Sequence, residues 1–157
     1  MKSKSFSWPV FLLLFITVSL TACEEDDEVT EDTVYTISAA LDGAQEVPAP
    51  GVPTTATGSV TGFYDASTNT LQYTVKWTGL TDTASMGHFH GPALPGETAP
   101  PTVTLVLVNN GLNGTATGTT VLTDEQESDF LAGKWYANIY TPNNTPGEIR
   151  GQVSAVN

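Results

Sequence analysis

A strict alternation of apolar and polar side chains over residues 71–77 constrains the fold of this chain more than any other feature. Leu71, Tyr73, Val75 and Trp77 alternate with three polar residues in the sequence LQYTVKW. Successive side chains of an extended strand point to opposite faces, so this segment predicts a β-strand with one buried and one solvent-facing side. A single strand cannot bury its apolar face alone, and the chain must therefore supply further strands to pair with it.

Further segments have the composition of short strands and are separated by turn-forming residues. They are residues 34–41, 57–64, 103–108, 115–122, 134–141 and 148–153. The segment 103–108 (VTLVLV) is apolar throughout, which predicts a central strand. Strands at this spacing, with Gly, Asn, Asp and Pro between them, predict an all-β fold: a Greek-key-like antiparallel β-sandwich.

One short helix interrupts the strand pattern. Thr123 is followed three residues later by Gln126, which is the spacing of a capping box, and acidic residues occupy the first turn. Gly133 predicts the end of the helix. The sequence therefore predicts a helix near residues 124–132 within the all-β domain.

The N-terminal region has the features of a bacterial lipoprotein signal peptide. Residues 10–20 (VFLLLFITVSL) are apolar but too short to span a bilayer, which takes about 20 residues. The sequence LTAC then ends at Cys23, the only cysteine, in the form of a lipobox. We therefore predict that residues 1–22 are a lipoprotein signal peptide and that Cys23 carries the lipid that attaches the protein to a membrane.

Residues 23–33 are predicted to combine the lipidated cysteine with an acidic tether. Seven of the nine residues in EEDDEVTED, which follows Cys23, are acidic. Such a run repels itself and favours a solvated segment. It can serve as a spacer, or as the export address that lipoproteins of Bacteroidota-type bacteria carry after the lipidated cysteine. We expect a lipid-anchored protein of the bacterial cell envelope, in the outer membrane, with exposure at the cell surface left open.

The remaining residues, 34–157, are predicted to form one domain with an acidic surface. Three basic and ten acidic side chains give this region a formal charge of −7. Such a surface repels phosphate backbones, and nucleic acids are therefore excluded as partners.

Several short motifs in this region resemble the CHRD domain, which was first described in chordin. They occur in the family's order: LDGAQEVP (41–48), GHFHGPA (87–93), LTD (122–124), GKWYANIYT (133–141) and PGEIRGQV (146–153). The resemblance implies a β-rich extracellular domain, CHRD-like over residues 34–157. We expect from it a non-enzymatic domain that binds an extracellular protein, a glycan or another ligand. The family commonly has a third histidine where this chain has Tyr140.

His88 and His90, the only histidines, are the candidates for a metal site. Residues i and i+2 of a strand share a face, so the two imidazoles can converge on copper or zinc. The alternative is structural: the histidines hydrogen-bond loop carbonyls and brace the proline-rich loop 91–101. Candidates for a third metal ligand are Glu46, Glu97 and Glu148.

The sequence lacks the common catalytic motifs. It contains no G-x-S-x-G nucleophile elbow, no P-loop and no dinucleotide fingerprint, and its only cysteine is assigned to lipid. We therefore expect no enzyme activity and no cofactor, unless copper or zinc binds at the histidines. Tyr140 and Arg150 are further structural or ligand-binding candidates. The alternation in EIRGQV places Glu148 and Arg150 on one face, where they can form an ion pair with each other or with a neighbouring strand.

Overall fold

The computed structural model describes residues 33–157. The predicted signal peptide, Cys23 and the acidic run that follows it lie outside the described residues. Within the described part, no helix has both the length and the apolarity needed to cross a membrane.

Residues 33–157 form ten strands, all paired antiparallel, and one short α-helix, α1 (Asp124–Leu131). A 3₁₀ turn, Gly43–Gln45, follows the first strand. This architecture confirms the predicted all-β fold with one short helix. The strands are β1 (Val34–Asp42), β2 (Thr57–Asp65), β3 (Thr70–Thr78), β4 (Met86–His90), β5 (Pro101–Thr104), β6 (Leu107–Asn110), β7 (Gly114–Val121), β8 (Tyr136–Tyr140), β9 (Ile149–Gln152) and β10 (Ser154–Val156).

Two segments of the chain curl the sheet around a common core, because each segment changes its partner strand along its length. In residues 101–110, β5 pairs with β4 whereas β6 pairs with β7. In residues 149–156, β9 lies between β8 and β1, whereas β10 pairs with β1. The strand order β5-β4-β8-β9-β1-β2-β3-β7-β6 therefore forms two facing halves. Phe89 of β4 and Tyr73 of β3 meet across the core, with ring centroids 5.1 Å apart.

The prediction of a central strand over residues 103–108 is wrong. β5 and β6 are each four residues long and stand at the two ends of the strand order. Val106 and Val108 are 63% and 68% exposed, whereas Leu105 between the two strands is buried. The segment crosses from one half of the sheet to the other, and an apolar run does not distinguish such a crossing from a central strand.

The alternation over residues 71–77 produces the buried face that it predicts. Leu71, Tyr73, Val75 and Trp77 all belong to the hydrophobic core. Their strand, β3, lies between β2 and β7, so the polar residues between them face away from the core on the outer side of the sheet. The alternation in this one segment therefore indicates which side of β3 and its neighbouring strands faces the core.

The helix begins as its sequence predicts. Thr123 and Gln126 form a reciprocal capping box, in which each side chain accepts a hydrogen bond from the other's backbone N–H. Phe130, the buried residue of α1, packs against Tyr64 and against Trp135, with ring centroids 5.4 Å apart in both pairs. These aromatic contacts attach the helix to the core.

Candidate functional site

Both histidines, the only arginine and two tyrosines lie together on one face of β4, β8 and β9. On these strands, Phe89, Ala137, Ile139 and Ile149 point into the core. The residues that alternate with them therefore lie on the opposite side, which we call the polar face. Its members are His88, His90, Tyr136, Asn138, Tyr140, Arg150 and Gln152, and the strand register places His88 opposite Asn138 and Asn138 opposite Arg150.

His90 uses both of its ring nitrogens on the polar face. Nδ1 lies 2.9 Å from the carbonyl oxygen of Ala99, and Nε2 lies 2.6 Å from the hydroxyl of Tyr140. A carbonyl can only accept, so Nδ1 carries the proton and Nε2 accepts from Tyr140. Burial lowers the pKa of His90, which keeps the ring neutral. The predicted hydrogen bond from a histidine to a loop carbonyl is therefore confirmed at His90.

Tyr136 and Arg150 extend the contacts with the loop 91–101. The Tyr136 ring stacks on His90 at 4.7 Å, and the guanidinium carbon of Arg150 lies 3.5 Å from the centroid of Tyr136. Arg150 Nη1 donates to the carbonyl of Glu97 at 2.7 Å, and the Tyr136 hydroxyl lies within hydrogen-bond distance of both backbone groups of Ala99. Stacked rings and hydrogen bonds therefore fix this loop against the polar face.

Glu46 enters the polar face from the segment after the 3₁₀ turn. Asn138 Nδ2 donates to Glu46 Oε2 at 3.2 Å. Burial raises the pKa of Glu46 to about 8, against the opposing effects of the Arg150 charge and the Asn138 hydrogen bond. Gly147 backs the pair closely: a Cβ there would lie 2.6 Å from Glu46 Oε2 and from both amide atoms of Asn138. A side chain at residue 147 would therefore force this carboxyl–amide pair to shift.

Buried polar atoms without hydrogen-bond partners are concentrated around the polar face. Across residues 33–157, six buried side-chain nitrogen or oxygen atoms lack a partner, and five of them lie here. Such an atom costs about 1–3 kcal/mol when it is left unpaired. Their concentration here therefore calls for an explanation, such as a ligand, an ion or ordered water at these atoms. The five atoms are Glu46 Oε1, His88 Nδ1, Asn138 Oδ1, Arg150 Nη2 and Gln152 Oε1.

Glu148, a candidate metal ligand, lies apart from the histidines. Its two carboxylate oxygens accept four hydrogen bonds, from the hydroxyls of Thr54, Thr81 and Thr141 and from the backbone N–H of Thr81. Burial opposes its charged form, but these hydrogen bonds outweigh burial and lower the pKa of Glu148. The carboxylate joins three separate parts of the chain and has a structural role.

The predicted ion pair between Glu148 and Arg150 is not formed. Glu148 precedes β9 and binds threonines, whereas Arg150 within β9 binds the Glu97 carbonyl. The ion pair that the structure contains within residues 33–157 joins Lys134 to Asp129 at 2.8 Å. Alternation places two residues on one face only if both belong to the same continuous strand, and Glu148 lies just outside β9.

Glu97 contacts the polar face through its backbone rather than its carboxylate. Its carboxylate accepts from the backbone N–H of Leu94 at 3.0 Å, inside the exposed loop. Among the described residues, no group of three His, Cys, Asp or Glu side chains is arranged to hold a metal ion. Of the candidate third ligands, the structure brings Glu46 alone to the polar face.

Sequence reasoning did not single out Asn138, Tyr136 or Gln152 as members of this face. A signal for two of them is present in the strand WYANIY, where Tyr136 and Asn138 alternate with the core residues Ala137 and Ile139. Polar side chains that alternate with core residues indicate a second face of the strand. In the structure, other parts of the chain cover that face, and residues 136–139 are all buried. What covers the face cannot be inferred from the strand itself.

A second surface lies on the outer side of β1, β2, β3 and β7, in the other half of the sheet. The register aligns Ser38, Thr61, Thr74 and Thr117 in one row across the four strands. Further threonines and serines occupy the neighbouring rows, so we call this surface the hydroxyl face. Its rows are about 7 Å apart along the strands and its strands about 4.8 Å apart.

Two open grooves follow the hydroxyl face. One, of about 660 Å³, contains Phe63, whose side chain is 56% exposed. The other, of about 540 Å³, contains Lys76, which is the only charged residue among the described residues that line the two grooves. Asp42 and Asp65 stand at the ends of the flanking strands, where their carboxylates accept hydrogen bonds from adjacent turns. Within residues 33–157, no carboxylate therefore lines either groove, although the domain as a whole is acidic.

The curled antiparallel sheet, its single helix and its covered polar face define an all-β domain with a proline-rich loop fixed over one half. The chain belongs to the CHRD family, since the model of the CHRD domain matches residues 37–153. This range includes every member of the polar face. Comparisons with curated proteins and with solved structures gave no match. The family match confirms the resemblance inferred from the sequence motifs.

Proposed function

We propose that this chain is a non-enzymatic bacterial lipoprotein, anchored in the cell envelope through lipid on Cys23, whose CHRD domain binds an extracellular glycan. The observation that carries the ligand class is the hydroxyl face. It offers ordered hydroxyl groups, an exposed aromatic ring and one cation on a surface without carboxylates. The acidic balance of the rest of the domain makes this face the favourable approach for a polar or anionic chain.

The chemistry of the hydroxyl face matches that of a sugar chain. Serine and threonine hydroxyls both donate and accept, as sugar hydroxyls do. The ring of Phe63 supplies a flat apolar surface on which the apolar side of a sugar ring can stack. Lys76 can pair with a sugar carboxylate. Between Thr57 and Phe63 the face extends for about 20 Å along the strand, which is enough for a short oligosaccharide.

The hydrogen bonds of one imidazole, His90, and one carboxylate, Glu148, support structural roles for these two groups rather than catalytic ones. His90 and Glu148 are both occupied by hydrogen bonds that fix loops. A general acid or base must instead reach the proton that it transfers, at hydrogen-bond distance from a substrate.

The glycan proposal is tested by retention on immobilised polysaccharides. We expect the full chain to be retained on a carboxylated polysaccharide more strongly than on a neutral one, and less strongly as salt is raised. Phe63→Ala and Lys76→Ala should each reduce retention. Lys134→Ala is the matched control, because it removes a cation that is paired with Asp129 away from the grooves. Retention that neither groove variant changes would refute the glycan site. Binding of a protein instead of a polysaccharide would show that the ligand of this face is a protein.

The anchor is tested separately. Cys23→Ser should release the protein from the membrane fraction or leave the precursor unprocessed, and unchanged fractionation would refute lipidation.

Replacing the acids of residues 24–28 by their amides tests the export address. If the run is an address, surface protease accessibility should be lost, whereas continued accessibility identifies the run as a spacer.

A further inference from the structure

Three ring side chains lie close together where the polar face opens to solvent. The ring centroids of His88 and His90 are 5.6 Å apart, and the Tyr140 ring lies 5.5 Å from His88 and 6.2 Å from His90. With metal–nitrogen bonds of about 2.0 Å, two imidazoles on one ion place their centroids about 5–6 Å apart. The histidine rings therefore already have the separation that a shared ion requires.

The hydrogen bonds of the histidines suit metal ligation. His90 Nδ1 donates to the Ala99 carbonyl, which is the outer contact that orients a metal-binding imidazole. Nε2 is unprotonated, and its lone pair accepts a hydrogen bond from the Tyr140 hydroxyl. His88 Nδ1 is buried and has no partner among the described residues.

Met86 is the next side chain along this face and offers a third donor atom. It shares the face of β4 with His88 and His90 because residues i, i+2 and i+4 of a strand alternate to the same side. It lies directly opposite Tyr140 in the strand pairing and is 47% exposed, so its thioether is accessible from solvent. Met86 is also the only methionine after Met1. A thioether beside imidazoles is a soft donor set that selects copper, in the Cu(I) state, over zinc.

We propose that Met86, His88 and His90 form a copper(I)-binding site at the open edge of the polar face. In the metal-free protein, the Tyr140 hydroxyl occupies Nε2 of His90, and copper binding displaces that hydrogen bond. Arg150 lies in the same cluster, and its charge opposes a bound cation. The monovalent ion is therefore favoured over Zn²⁺. This site is independent of the hydroxyl face and of the glycan proposal.

Competition with a chromophoric Cu(I) chelator tests the site in the detergent-extracted full chain. We expect one Cu(I) per chain, with a weaker affinity for Zn²⁺. His88→Ala should lower the Cu(I) affinity by about tenfold or more. Met86→Leu should lower the Cu(I) affinity while leaving that for Zn²⁺ unchanged. The Cys23→Ser chain controls for binding by a thiol, and thermal melts establish that each variant is folded.

Tyr140→Phe tests the displacement step. It removes the hydroxyl that competes for Nε2, so the Cu(I) affinity should rise. Tyr35→Phe, on β1 in the other part of the sheet, is the matched control and should leave the affinity unchanged. Affinity unchanged in both Met86→Leu and His88→Ala, loss of binding in Cys23→Ser, or preference for Zn²⁺ would each overturn the copper site. A lower affinity in Tyr140→Phe would contradict the displacement.

Discussion

The polar face and the hydroxyl face are built from the same alternation of side chains, yet they have opposite properties. On the polar face, loop 91–101 and Glu46 cover the strands, and Asn138 and Arg150 are only 3% and 2% exposed. On the hydroxyl face, Thr61 and Thr117 stand in solvent. The difference arises from what packs over each face, because a covered polar group must find a partner whereas an exposed one is satisfied by water.

This contrast separates residues that hold the domain together from residues available to a ligand. A covered carboxylate or imidazole contributes to stability through its bonds to loops, and its loss leaves several partners unpaired. An exposed hydroxyl contributes little to stability and can exchange water for ligand. Chemically similar substitutions on the two faces should therefore change the free energy of unfolding by very different amounts.

The largest effect is expected at Glu148, the buried carboxylate with four hydrogen bonds. Glu148→Ala should lower the free energy of unfolding by about 3–4 kcal/mol, because three threonines lose a charged acceptor. Urea denaturation measures the change. Glu97→Ala, at an exposed carboxylate, is the control and should change stability by less than about 0.5 kcal/mol. Similar losses in both variants would show that burial of a carboxylate does not determine how much it contributes to stability.

Gly147 should give the next largest effect, because a side chain there collides with the buried pair of Glu46 and Asn138. Gly147→Ala should destabilise by about 2–3 kcal/mol, through crowding and through a backbone φ of 136°. Gly96 is the matched control: its φ is 87°, but a Cβ there would have no atom within 4 Å. Gly96→Ala therefore measures backbone strain alone, and equal losses would argue against a crowded polar face.

Glu46 should make the stability of the domain depend on pH. Its pKa is raised from 4.5 to about 8, so the folded protein holds a proton that the unfolded chain releases. This contribution is complete below the unfolded value and is lost as the pH rises through about 8. Unfolding free energies should therefore fall toward alkaline pH, by on the order of 2 kcal/mol. Glu46→Gln should abolish this slope, and an unchanged slope in that variant would exclude Glu46 as its cause.

Local sequence signals predicted the parts of the molecule that depend on neighbouring residues. The strand at residues 71–77 and the capping box of Thr123 and Gln126 follow from spacing within a few residues. The bond between His90 and a loop carbonyl was also foreseeable, since the proline-rich loop directly follows the histidine.

Contacts between distant segments were not predictable in the same way. Glu148 binds Thr54 and Thr81, which lie 94 and 67 residues away. The partner change at Leu105 depends on β4 and β7 together. Glu148 lies apart from the histidines because the fold brings three threonines to its carboxylate. The sequence alone does not show whether a carboxylate will bind a metal ion or hydroxyl groups.

The smallest effect, and the most direct comparison of the two faces, comes from removing one hydroxyl from each. Tyr140→Phe leaves the buried Nε2 of His90 without its donor and should cost about 1–2 kcal/mol of unfolding free energy. Thr117→Val removes an exposed hydroxyl while keeping the β-branched shape, and should change stability by less than about 0.5 kcal/mol. Paired urea denaturation curves measure both. A cost at Thr117 that matches the cost at Tyr140 would mean that the hydroxyl face is held in its own bonding network, and would weaken its assignment as the surface open to ligand.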